Sequence, residues 1–136
     1  MRVIRVLRPV PESAAAARQF VRRTLGSWGC DWLADDAGVV VSELVTNVVL
    51  HARTSAVVNL DFGRGRVRLS VADAAPITAR VGAAAQVGEP DEGRGNGLLL
   101  VRELSDQWGV DSDREHKVVW AEWQLESVPA GSLSES

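Results

Sequence analysis

Lysine is nearly absent from this chain. Of its 15 cationic side chains only Lys117 is a lysine; the rest are arginine. The formal net charge is −3, so the global positive footprint of a nucleic-acid-binding domain is missing. The chain has 1 cysteine, Cys30, which excludes an internal disulfide. Set between Gly29 and Asp31, Cys30 reads as a linker residue more readily than as a nucleophile. No segment reaches the roughly 20 consecutive apolar residues that a membrane-spanning helix needs. The start, Met1 to Arg8, alternates like a strand and lacks the apolar run of a signal peptide. These absences make a cytoplasmic protein without direct nucleic-acid or membrane partners the expectation. What is present fits one globular domain: 136 residues, of which 46% are apolar and 24% charged, enough for a proper core. No internal repeat interrupts it. The Ala-, Arg-, Val- and Gly-rich usage is of the kind that GC-rich bacterial genomes encode.

In chain order, Val3, Val6 and Leu7 among Arg2, Arg5 and Arg8 predict a short strand at a sheet edge, where the arginines discourage further pairing. Pro9 ends it, and Pro11 suits the first turn of a helix. Glu12 to Leu25 predicts that helix, with Ala17, Phe20, Val21 and Leu25 as its apolar stripe and Gly26 closing it. Asp31 is a candidate N-cap for a second helix running to about Ala52. Residues 56–73 predict a hairpin turning at Gly63-Arg64-Gly65, its second strand ending on Asp73. Residues 74–93 lose all periodicity, as functional or disordered loops do. Gly93-Arg94-Gly95-Asn96-Gly97 then delivers the chain to a helix that starts as a buried run at Leu98. Two short strands follow, one at Trp108–Val110 and one over residues 117–125. The tail from Ser127 is rich in Ser, Gly and Pro and is expected to fray.

The chemistry concentrates in the second helix. Glu43 and Asn47 lie four residues apart, so they share one face, one turn apart. Leu44, Val45, Val48 and Val49 supply apolar surface beside them, and His51 extends the polar line by another turn. A carboxylate on an otherwise apolar helix needs partners. A hydrated divalent cation carrying phosphates satisfies both groups, since Mg²⁺ takes oxygen ligands and keeps several waters. A surface helix whose polar stripe faces water satisfies them equally. His51, near a helix C-terminus, is read as structural. The glycine run into a helix N-terminus is a second phosphate signal, because free N–H groups and the dipole favour anions there.

Ser42-Glu43-Leu44-Val45-Thr46-Asn47, Asp73 at a strand end, and Gly93-Arg94-Gly95-Asn96-Gly97-Leu98, in this order and spacing, resemble the GHKL ATPase superfamily. Within it the look is to the small RsbW-type anti-sigma factor serine/threonine kinases. The resemblance covers about residues 10 to 125. It implies an α+β fold, the Bergerat two-layer α/β sandwich, whose mixed, mostly antiparallel sheet is covered on one face by helices. It implies one ATP-binding domain over residues 1–126, with 127–136 as a C-terminal tail. By resemblance, Glu43 is the general base, Asn47 ligates Mg²⁺, and Asp73 accepts a hydrogen bond from the adenine amino group. Gly93, Gly95, Asn96, Gly97 and Leu98 frame the phosphates, and Arg94 either reaches them or is a solvated loop residue. The implied cofactors are ATP and Mg²⁺. The implied partners are an anti-anti-sigma protein of STAS type, a sigma factor, and a second copy of the chain in a homodimer. The alternative is a catalytically weak or nucleotide-gated protein-binding module on the same fold.

Two departures stand out. The family's Asp-x-Gly-x-Gly reads Asp73-Ala74-Ala75-Pro76 here. Its Gly-Lys/Gly-Thr in the last strand reads His116-Lys117-Val118, so a hydroxyl beside the base is missing and Val118 can only pack. Both lower the expected nucleotide affinity and leave Glu43 and Asn47 untouched.

Overall fold

The structure is a computed structural model that describes residues 1–73, 96–112 and 117–125, with Asn96 and Gly97 described by backbone alone. The expectations for the loop over residues 74–93, for Arg94 and its flanking glycines, for His116 and for the tail from Ser127 lie outside the described residues.

Five strands form one sheet in the order β1-β2-β3-β5-β4: β1 (Arg2–Leu7), β2 (Ala56–Gly63), β3 (Arg66–Asp73), β4 (Gln107–Ser112) and β5 (Lys117–Gln124). Every described pairing is antiparallel. The helices are α1 (Glu12–Ser27), α2 (Asp31–Asn47) and α3 (Asn96–Leu104), and a π-helical turn (Val48–Ala52) follows α2. This is the expected α+β sandwich, with β1 at the sheet edge.

Alternation along the strands sorts the residues into two faces. One carries Val58, Leu60, Val67, Leu69, Val71, Ala121 and Trp123, all buried in one cluster with helix side chains. α1 contributes Ala17, Phe20, Val21 and Leu25, the predicted stripe. α2 contributes Leu33, Ala37, Val40, Val41, Leu44 and Val45, the last four with essentially no exposure. Gly38 lets α1 come close, since a β-carbon there would lie 3.2 Å from Arg18 Cγ. The Arg22–Asp35 ion pair spans the two helices at their exposed rim.

Several helix boundaries differ from the sequence reading. α1 runs through Gly26 to Ser27, and Gly29, at φ +78°, makes the turn. The Cys30 amide donates to the Leu25 carbonyl at 2.8 Å, closing that turn. Asp31 is the first residue of α2 rather than its cap; Cys30 holds the cap position, and no side chain caps there. Cys30 is 4% exposed and sits in the core, not in a linker. α3 is amphipathic rather than buried from its start: Val101 is buried and Leu98 and Leu104 partly so, whereas Leu99 and Leu100 are exposed.

The β2–β3 hairpin turns where expected. Arg64 and Gly65 take φ +58° and +73°, the two positive values that a tight primed turn requires. The other sheet face reads as cross-strand rows. Val6, Val57, Ala72, Val118 and Asp111 form one row; Ile4, Asn59, Ser70, Trp120 and Gly109 form the next. Arg2, Asp61, Arg68 and Glu122 form the third, with Arg2 on Asp61 at 2.7 Å and Arg68 on Glu122 at 2.8 Å.

The Arg68 guanidinium, from the third row, lies 4.2 Å from the ring centroid of Trp120 in the middle row. A β-carbon on Gly109 would stand 2.5 Å from Trp120 Cζ2. Glycine is therefore required at 109 by space, not by backbone conformation. Gly109→Ala is expected to lower stability by about 1–3 kcal/mol, the usual cost of overpacking. Urea titration followed by tryptophan fluorescence measures it.

Candidate functional site

The apolar stripe of α2 decides how its polar residues stand. With Val40, Val41, Leu44 and Val45 fully covered, Ser42, Glu43, Thr46 and Asn47 fall on the flanks and are half-buried. Glu43 and Asn47 remain one helical turn apart on regular α-helix, since α2 stays α-helical through Asn47.

Beyond Asn47 the helix widens. The Arg53 amide donates to the Val48 carbonyl, five residues back, at 2.8 Å, and Arg53 turns out of the helix at φ +58°. A π-turn carries more residues per turn than an α-helix, so four-residue spacing no longer keeps side chains in line. His51 is thereby displaced from the Glu43–Asn47 line and is exposed. The expected three-residue polar row is a two-residue one.

The π-turn packs against β3, as α2 does. β3 ends on Asp73, which is 7% exposed and pairs in register with Ala56, just after the Thr54-Ser55 link from the π-turn. By strand alternation Asp73 shares the helix-covered face with Val67, Leu69 and Val71. The structure thus brings Asp73 to the same side of the sheet, and to the same end of α2, as Asn47. α3 packs against α2 and starts at Asn96, inside the glycine run and two residues before the expected Leu98. The first amides of a helix have no intrahelical acceptor, which is what makes a helix N-terminus suited to an anion. Leu98 packs on the core from the first turn of α3.

Val118 does not line this site. Its register partner is Ala72, and it lies on the opposite sheet face with Trp120 and Glu122. Val119 and Lys117 alternate onto the helix-covered face. One step further along the Val71–Val119, Ala72–Val118 register, Lys117 falls opposite Asp73. Sequence reasoning missed Lys117, although period-two alternation from the buried Ala121 and Trp123 points to it.

The donor set suits a hard cation. Glu43 and Asn47 offer a carboxylate and an amide oxygen, and no group of three or more His, Cys, Asp or Glu side chains gathers among the described residues. These two oxygen donors alone do not complete a coordination shell. The pair fits Mg²⁺, which keeps waters and is held by one or two side chains together with substrate phosphates.

The chain matches the histidine kinase-like ATPase domain over residues 7–123. It belongs to that family, and membership implies an ATP site. No curated protein matches it. Among solved structures it is similar to the RsbU and RsbW domains of Rv1364c from Mycobacterium tuberculosis. The TM-score is 0.69 at 19% identity, with 91% of this chain and 32% of that one covered. The chain therefore spans about a third of that protein, and at this identity the likeness shows the fold. Among the described residues no helix is long and apolar enough to cross a membrane.

Cys30 stays outside this chemistry. Burial, and then the neighbouring Asp31 carboxylate, push its thiol above the usual range. A raised pKa leaves less thiolate at pH 8. Cys30 is expected to react with a disulfide reagent at least about tenfold slower than a free thiol. Unfolding in guanidinium is expected to restore the rate, as stopped-flow absorbance would show.

Proposed function

We propose that the chain binds MgATP between α2 and the sheet and transfers the γ-phosphoryl group to a serine or threonine hydroxyl of a partner protein, as an anti-sigma kinase of RsbW type. The observation that carries this reading is the half-buried Glu43–Asn47 pair on regular helix, at the end of α2 that faces Asp73. Family membership supports nucleotide binding; the likeness in fold to the RsbU and RsbW domains of Rv1364c supports the type.

The roles follow from donor chemistry. Asp73, nearly buried at a strand end, is a fixed acceptor that selects an amino-bearing purine. The Asn47 amide oxygen would hold Mg²⁺, which neutralises phosphate charge when bound. Glu43, one turn away, orients the acceptor hydroxyl and takes its proton as the oxygen attacks phosphorus. The first amides of α3, with Arg94 and the glycines around it, receive phosphate oxygens. Lys117, one register step beyond the Ala72–Val118 pair, adds a cation near Asp73. The implied partners are an anti-anti-sigma protein of STAS type that receives the phosphate and a sigma factor that the chain sequesters. A homodimer and a cytoplasmic setting belong to the same reading.

Calorimetry separates the roles. Wild type is expected to bind MgATP and MgADP. Asn47→Ala is expected to abolish the Mg²⁺-dependent part of binding, and Asp73→Asn to weaken adenine nucleotides more than guanine ones. Glu43→Gln is expected to bind MgATP normally and to lose about 10²–10⁴-fold in phosphoryl transfer, the usual worth of a positioned general base. His51→Ala, on the exposed π-turn, is expected to change nothing in either assay. Wild type that binds neither nucleotide at millimolar concentration would overturn the reading. Binding without transfer to any STAS-type protein would leave a nucleotide-gated binding module.

A further inference from the structure

The sheet face turned away from Glu43, Asn47 and Asp73 has no part in the chemistry above. None of its central residues Asn59, Arg68, Ser70 and Trp120 belongs to the helix-packed core. At its β2–β3 hairpin end lies an open hollow of about 640 Å³, lined among others by Arg2, Asn59, Arg64, Arg66, Arg68 and Ser70. Four arginines meet there against two carboxylates, Asp61 and Glu122. The excess is positive in a chain whose net charge is negative.

Arg66 and Arg68 are built in. Both reach the same oxygen of Glu122, at 3.1 and 2.8 Å, and that side chain is 3% exposed. A buried ion pair is weak evidence for stability, because desolvation offsets the attraction. What it does is fix two guanidinium groups. Each of these bonds occupies one of the five N–H donors of an arginine, which leaves donors for a second, incoming carboxylate. Arg64, held at φ +58° in the hairpin turn, has no ion-pair partner among the described residues. Arg2, whose side chain is 65% exposed, meets Asp61 alone among the described residues.

The arrangement distinguishes between polyanions. Nucleic acid wants continuous positive charge and bare aromatic faces for stacking. Here charge alternates along the row Arg2, Asp61, Arg68, Glu122. Trp120 already carries Arg68, and Phe62 meets Trp28 edge to face at 5.5 Å. Spaced carboxylates on a peptide fit an alternating row; a continuous phosphate backbone meets Asp61.

We propose that this hollow is a docking site for an acidic segment of a partner protein, whose carboxylates are taken by Arg2 and Arg64 and by the free donors of Arg66 and Arg68. The site lies on the opposite sheet face from the nucleotide-site residues and stands whether or not the kinase reading does.

The test uses fluorescein-labelled hexaglutamate and fluorescence anisotropy at low salt, on the full chain. Saturable binding is expected, weakened about tenfold or more by Arg2→Gln with Arg64→Asn, a residue that tolerates the turn's positive φ. The double variant Arg8→Gln with Arg23→Gln removes the same charge elsewhere and is expected to weaken binding by no more than about twofold. Amide shifts on wild type are expected at Asn59 and Ser70. The proposal is overturned by equal weakening in both double variants, by no saturable binding, or by a labelled hexathymidylate that binds as tightly as the peptide. Unchanged melting of both double variants certifies the comparison, and the amide shifts decide it on wild type alone.

Discussion

The burial of the α2 stripe between α1 and the sheet is the constraint on which the rest depends. Leu33, Ala37, Val40, Val41, Leu44 and Val45 follow helical spacing so closely that the helix has one rotational setting. Each fully buried branched side chain is worth about 1.5–3 kcal/mol relative to exposure. Turning α2 by even one residue would expose several of them and bury Glu43. The polar pair is therefore positioned by its apolar neighbours and needs no hydrogen bond of its own to fix the helix. The same setting brings the C-terminal end of α2 over β3, whose last residue is Asp73.

Where that constraint ends, the backbone changes. The apolar spacing weakens after Val45, with Val48 and Val49 only partly buried and Leu50 exposed. The π-turn occupies the stretch where packing no longer enforces α-geometry, and it hands the chain through Arg53 to β2. Glu43 and Asn47 sit on the α-helical side of this change, and His51 on the π-helical side.

Most of the architecture was legible because its signals are local and periodic. The α1 stripe, the hairpin and the edge position of β1 follow from spacing, from the Gly63-Arg64-Gly65 turn and from arginines on a short strand. Helix ends were less legible. Gly26 resembled a terminator, but Gly29 supplies the left-handed turn, and only tertiary packing shows that Cys30 is swallowed by the core. The π-turn has no sequence signature in Val48–Ala52. Leu98 to Val101 looked uniformly buried because four apolar residues in a row carry no period; contact with α2 selects Leu98 and Val101 and leaves Leu99 and Leu100 outside. For the candidate site, the motif residues on α2 and β3 were readable, whereas the choice between Lys117 and Val118 required a strand register.

Register also explains how one thin sheet presents two unlike surfaces. Because side chains alternate, each residue gained by the core places its neighbour on the opposite face. Val67, Leu69 and Val71 go inward, so Arg66, Arg68 and Ser70 must go outward. Leu60 inward sets Asp61 outward, and Ala121 and Trp123 inward set Glu122 outward between them. The charged row is thus tied to the core by strand geometry: no slip of register could remove the arginines without burying them. That coupling fixes Arg66 and Arg68 in place with respect to α2, although no side chain connects them to Glu43. A partner seated on those arginines and a nucleotide seated under α2 would share one rigid sheet. Any influence of one on the other would run through displacement of β3, the strand that carries Arg66 and Arg68 on one face and ends in Asp73 on the other.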